Sequence, residues 1–137
     1  MAYKIHILTG EYRDRQTEAN NRKADLYLEQ HINSSVSESP DYGLGVVARN
    51  ASARSKEIAE WYANEAGTRF DVGGPLDHDI GYSTGVRVGG RGNANLAYTN
   101  MPAVLLEPWF ASNPTQADKM NTTDGIRQGA HLLVDLV

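Results

Sequence analysis

"MPAVLLEPWF", residues 101–110, is the stretch on which the fold turns. Ala103 to Leu106 form an unbroken apolar run between Pro102 and Glu107. A run this short, with turn-forming residues beside it, reads as a strand buried on both faces, as in parallel sheets. "ADLYLEQHINSS" (24–35) has the same form: an apolar run that rises into His31 and then small polar residues. "GLGVVA" (43–48) reads as a third strand, and "KIHIL" (4–8), which alternates, as another. Arg13 to Lys23 reads as a short polar helix. "NASARSKEIAEWYANEAG" (50–67) is the clearest helix: Asn50 or Ser52 caps its start, Ile58, Trp61, Tyr62 and Ala66 share a face, and Gly67 ends it. Residues 68–100 read as a long glycine-rich loop region with one short strand near Val86. A last helix starts near Thr122 or Thr123, with Ile126, Ala130, Leu133, Val134 and Val137 on one face. Strands alternating with helices predict an α/β fold: a single domain over residues 1–137, with a mainly parallel sheet covered by helices on both faces.

Composition narrows the function. With 137 residues, 40% hydrophobic and 22% charged, the chain reads as one soluble globular domain. It has no cysteine, which excludes disulfides, thiolate zinc sites and a cysteine nucleophile. Net charge is −4 and no five-residue stretch, Arg87 to Arg91 included, holds more than two basic charges, so nucleic acid is not an expected partner. Apolar runs are too short to span a bilayer, so no membrane role is expected. "MAYKIHILTG" is interrupted by Lys4 and His6 and does not read as a signal peptide; the expectation is synthesis in the cytoplasm and delivery by other means.

Two buried strands end in groups suited to chemistry, His31 and Glu107. In open parallel sheets, ligands bind beyond the carboxyl ends of the strands. A glutamate against an apolar wall has a raised pKa, suited to proton transfer. A neutral imidazole binds zinc, and zinc-bound water has a pKa of about 7. The bland alternatives are a strand-capping histidine and a salt-bridged glutamate.

At these residues the chain resembles the zinc-dependent N-acetylmuramoyl-L-alanine amidases, cell-wall hydrolases of bacteria and their phages. Arg15, Ala19, Asn20, Ala24, Asp25, Leu26, His31 and Asn33 match the pattern of an arginine, "AN", "ADL" and "H-x-N". "NMPAVLLEPWFASNP" (100–114), "GVRV" upstream and the final amphipathic helix also match. The resemblance implies that His31 binds zinc and that Glu107 activates the zinc-bound water. It implies cleavage of the amide between N-acetylmuramic acid and the L-alanine of the stem peptide, with peptidoglycan or a muropeptide as substrate and a phage or bacterial lysin (an endolysin) as the setting.

The chain departs from the family at its start. The family begins with a strand ending in aspartate, proline, glycine and histidine, followed by a helix bearing a glutamate; these supply two zinc ligands. Here one strand–helix unit is missing. Either "HILTG" is the family's second strand, or "KIHILTGE" takes the place of the first and slides into the gap, which sets Glu11 where the first histidine belongs. Glutamate oxygen can bind zinc. Glu18 and His78 are further candidate ligands by chemistry alone, and a second polypeptide could supply the missing unit. Arg87 is a candidate for binding a peptide carboxylate, and Trp109 for stacking on sugar or for core packing. His6 and His131 read as surface residues. "GGRGN" (89–93) lacks the context of a phosphate loop, and Ser34 and Ser112 lack a nucleophile elbow. The rival to the hydrolase is a non-catalytic domain that has lost a full zinc site and binds wall fragments or serves a structural role.

Overall fold

The computed structural model describes residues 3–71 and 86–137. The elements run α1 (Tyr12–Asn21), β1 (Tyr27–Gln30), β2 (Leu44–Val47), α2 (Ala53–Phe70), β3 (Val86–Val88), α3 (Asn93–Leu96), β4 (Ala103–Glu107), α4 (Pro114–Met120) and α5 (Thr123–Leu136). The strands form one sheet in the order β1-β4-β2-β3. β1 pairs β4 in parallel and β2 pairs β3 in parallel, while β2 and β4 meet antiparallel. The fold is α/β as expected, with two of its three strand pairings parallel.

Two apolar clusters mark the two faces of the sheet. Val47, Val104 and Leu106 pack with Ile58, Ala59, Tyr62, Ala66 and Phe70 of α2, Met120 of α4 and Leu132 of α5. On the other face Tyr27, Val46, Leu105 and Ala103 pack with Ala19 of α1 and Leu96 of α3. Because side chains alternate along each strand, "AVLL" serves both clusters, and this is why all four of its residues are apolar. The α2 helix lies so close to β2 that a Cβ at Gly45 would stand 2.6 Å from the Ala59 Cβ and 2.7 Å from its carbonyl oxygen. Gly45→Ala is therefore expected to lower stability by about 1–3 kcal/mol, read as an earlier denaturant midpoint.

Several boundaries differ from the sequence reading. "KIHIL" forms no strand: the segment has no regular secondary structure, with Ile5 68% and Ile7 89% exposed. No vacancy opens inside the sheet, because β1 pairs β4 directly; the deficit falls at the outer edge of β1. The α2 helix runs past Gly67 to Phe70 and ends at Asp71 in the left-handed conformation (φ 50°). Phe70 extends it, being buried in the core and set edge-to-face against Trp109 at 5.3 Å. Of the face proposed for the last helix, Ile126 and Val134 are exposed; Leu132 is the fully buried residue, with Leu133 and Leu136 partly covered. Two short helices go beyond the sequence reading: α3 lies within the expected loop region, and α4 in a stretch to which the sequence reading gave no element. Asn113 and Pro114 mark the second: the Asn113 side chain accepts from the Gln116 N–H, and proline occupies the first turn. Asn113→Ala is expected to cost about 1 kcal/mol, measured by thermal or denaturant unfolding.

Candidate functional site

The parallel pairing of β1 with β4 sets Tyr27 beside Ala103, Glu29 beside Leu105 and Gln30 beside Leu106. The His31 N–H donates to the Leu106 carbonyl at 2.9 Å, so the next step of the register brings His31 alongside Glu107. Beyond the strands the segments stay joined: Asn33 N–H donates to Trp109 O at 3.0 Å, Ala111 N–H to Asn33 O at 2.8 Å, and Ser35 N–H to the Ser112 hydroxyl at 3.0 Å. The "H-x-N" and "WFAS" stretches thus hold each other, and the two candidate side chains share one face and one end of the sheet.

A pocket of about 300 Å³ opens there, lined by His31, Arg87, Arg91, Asn95 and Glu107, with Ser34 at its side. Arg87 arrives through the sheet: Glu29, Leu105, Val46 and Arg87 form a single row across all four strands. Its Nη2 donates to the Arg91 carbonyl at 3.1 Å. Gly92, at φ 93°, seats the start of α3 on the sheet, where a Cβ would lie 3.3 Å from both Val46 and Leu105. Burial pushes the Glu107 carboxyl above the usual range; the positive charges of Arg87, His31 and Arg91 pull it down without offsetting that. Its Oε2 is buried with no hydrogen-bond partner.

Behind His31 lies a network that the sequence reading missed. Glu29 is buried, and its carboxylate accepts from Arg15 Nη2 at 2.7 Å, the Tyr27 hydroxyl at 2.7 Å, Asn95 Nδ2 at 2.8 Å and His31 Nε2 at 3.1 Å. Burial alone would raise the Glu29 pKa, but the donors from Arg15, Tyr27 and Asn95 outweigh it and hold the carboxyl below its ordinary value. The signal was present: residues 27, 29 and 31 fall on one side of a strand. The arginine and "AN" of the motif have local roles. Arg15 reaches Glu29, Ala19 is buried against the sheet, and the Asn20 amide donates to Tyr98 O and accepts from Asn100 N–H, both at 2.8 Å. Gln16, also buried, donates to Ala94 O at 2.9 Å and accepts from Tyr98 N–H at 2.9 Å, so α1 and α3 clamp together over the site.

The remaining candidates lie elsewhere. Glu11 is exposed at the start of α1 and does not line the pocket. Glu18 pairs with Arg22 on the surface at 2.6 Å, and His6 meets the same arginine at 3.0 Å. His131 is exposed on α5, and Trp109 packs in the core against Phe70. His78 lies outside the described residues.

The family model of N-acetylmuramoyl-L-alanine amidase matches residues 7–135. The chain belongs to this amidase family. An amidase from Clostridium difficile 630 has a similar structure, with TM-score 0.74 and 23% identity over 92% of this chain and 62% of that one. The catalytic domain of the amidase CwlV from Bacillus (Paenibacillus) polymyxa var. colistinus is similar at TM-score 0.72 and 23% identity, over 94% and 64%. The catalytic domain of CD27L, an endolysin targeting Clostridia difficile, is similar at 0.61 and 21%, over 92% and 61%. The chain therefore spans about three fifths of the length of these amidase-fold structures. None of the curated proteins compared with the chain matches it.

The donor set can be tested against the zinc that the resemblance implies. A hydrolytic zinc needs three protein ligands and an open position. An ionised carboxylate only accepts hydrogen bonds, so His31 donates through Nε2 to Glu29 and keeps only Nδ1 as a lone pair. Glu29 is itself taken up by its donors, and two guanidinium groups line the same pocket. No group of three His, Asp or Glu residues that could hold a metal ion occurs among the described residues. These residues do not fit a hydrolytic zinc centre.

Proposed function

We propose that this amidase-family domain acts on peptidoglycan, at the amide between N-acetylmuramic acid and the L-alanine of the stem peptide. The observation that carries this reading is Glu107: a half-buried carboxyl whose Oε2 has no partner, beside His31, in the family's "AVLLE" strand and lining a pocket. In this reading Glu107 takes a proton from the attacking water and returns it to the leaving amine, while His31, oriented by Glu29, lines the pocket and the two arginines provide positive charge around the carbonyl. Arg87 is then a substrate-binding residue. The bare outer edge of β1 suits a further strand, so the strand–helix unit absent from residues 1–137 fits there if another polypeptide carries it. Delivery to the cell wall by a phage lysis system or particle agrees with the similarity to an endolysin catalytic domain.

The shortage of metal donors favours a second reading, in which the domain holds wall fragments without cleaving them. Purified peptidoglycan separates the two. Under the first, incubation releases peptides with new L-alanine N-termini; under the second, the protein co-sediments with the walls and releases none. Neither release nor co-sedimentation would remove both. Metal analysis of the same protein reports whether zinc accompanies activity.

A further inference from the structure

An ionised carboxylate offers about four acceptor positions, two on each oxygen. In Glu29 all of them are taken. Oε1 accepts from Arg15 Nη2 and from the Tyr27 hydroxyl, both at 2.7 Å. Oε2 accepts from Asn95 Nδ2 at 2.8 Å and from His31 Nε2 at 3.1 Å. The side chain is 4% exposed, and no position remains for another donor, water included. Arg15, in contact with Oε1, keeps the group ionised. The donors converge from α1, from β1 and the residue after it, and from α3, so the carboxylate is held from several sides. It can only accept, and it cannot turn away. A histidine ring with a single proton must then carry that proton on Nε2. Nδ1 is left as a lone pair for the pocket that His31 lines. Asn95 lines the same pocket while it donates to Oε2.

We propose that Glu29 and Asn95 are positioning residues that fix His31 in a single tautomer, with Nε2–H turned inward and Nδ1 presented to the pocket as an acceptor. The proposal names the atom through which His31 meets whatever enters the pocket: Nδ1 accepts a hydrogen from an N–H or O–H group, and the neutral ring offers none there. The tautomer follows from the hydrogen bonds alone; its part in a reaction rests on the reading of this pocket as the site of wall cleavage. Asn95 supplies one of the two donors that hold Oε2. Without it the carboxylate has room to tilt, and the ring follows. A single group decides the direction of the proton. In Glu29→Gln the amide oxygen stays on the side of Tyr27 and Arg15, because a guanidinium only donates. The amide NH2 then stands where Oε2 stood. Asn95 adapts by turning its own amide, and His31 Nε2, now facing a donor, gives up its hydrogen to Nδ1. Exchanging a carboxylate for an amide behind an imidazole gives the ring the wrong tautomer while leaving its position intact.

The test reads the ring directly. Long-range proton–nitrogen spectra of the whole 15N-labelled chain separate protonated from bare ring nitrogens, and the signals lost in His31→Gln identify His31 among the four histidines. Spectra are taken in excess chelator and alkaline buffer, where the ring carries one proton. Wild-type His31 should show Nε2–H alone, Glu29→Gln should show mainly Nδ1–H, and Asn95→Ala a mixture of the two. A merely structural role would lower the unfolding midpoint of the variants without moving the proton. A wild-type ring that is mixed or mainly Nδ1–H overturns the proposal, and needs no variant to do so. A Glu29→Gln ring in which Nε2–H still predominates overturns it too, and an unmixed Asn95→Ala ring removes Asn95. On purified walls both variants should release peptides about 10–100-fold more slowly, the usual cost of losing a partner that orients a functional histidine. Undiminished release by a Glu29→Gln chain with an inverted ring refutes the positioning role. Failure of the wall-cleavage reading looks different: the wild-type ring holds Nε2–H alone, yet walls are not cut. Release by a wild-type chain whose ring is mixed removes the proposal and leaves the cleavage reading in place.

Discussion

Glu107→Gln is expected to cut the release of peptides from purified cell walls by about 10²–10⁴-fold, the range over which a positioned acid–base group acts. Glutamine keeps the shape of the side chain but cannot take up a proton. The variant should also fold, because Glu107 Oε2 holds no protein partner whose loss would be felt. Circular dichroism and the denaturant midpoint check that point, and appearance of new L-alanine N-termini reports activity. Wild-type rates in Glu107→Gln would dismiss Glu107 as the proton acceptor. The pH profile offers a second check. Burial raises the Glu107 carboxyl above its ordinary value of 4.5, so its basic form is lost at a higher pH than that of an exposed glutamate. The acid limb of the activity profile should therefore lie above 4.5, and should be missing from any residual activity of Glu107→Gln.

Arg15→Met is expected to destabilise the fold by about 3–5 kcal/mol, because it leaves the Glu29 carboxylate buried without its cation. The Glu29 side chain is only 4% exposed, whereas that of Arg15 is 22% exposed. The reverse change, Glu29→Gln, should cost less, since the freed guanidinium can turn to solvent. The pH dependence has a definite sign. Glu29 is held below its ordinary value in the folded protein by the hydrogen bonds that outweigh its burial, so its contribution is fully present above about pH 4.5 and is lost as pH falls through the lowered value. Arg15→Met should remove most of this acid-sensitive component. Urea unfolding of both proteins between pH 7 and pH 3 measures it. Equal losses of stability on acidification would show that the pair is not the source.

The strand cores and their alternation were legible in the sequence. "AVLL", "GLGVVA" and "ADLYLEQH" became β4, β2 and β1, and the first candidate pair, His31 and Glu107, met in one pocket together with Arg87. The edges and surfaces were less legible. Ile5 and Ile7 have the alternation of a strand but no cover to bury it, and Ile126 and Val134 have helical spacing yet face outward because Leu132 takes the contact with α2. Glu29 reads in sequence as one more polar residue in a strand. Its importance depends on Arg15, 14 positions earlier, and Asn95, 66 positions later.

The sequence by itself determined which residues are apolar, at what period they recur and where the strands stop. These are local properties: a run of four aliphatic residues followed by a carboxylate is a strand end wherever it lies in the fold. Only the tertiary structure decided the neighbours. The order β1-β4-β2-β3 sets His31 beside Glu107, runs the row from Glu29 to Arg87 and, among the described residues, leaves β1 at the sheet's edge. The physical reason is that charge, burial and unmet hydrogen bonds depend on distances across the sheet, and register sets those distances between residues that are far apart in the chain.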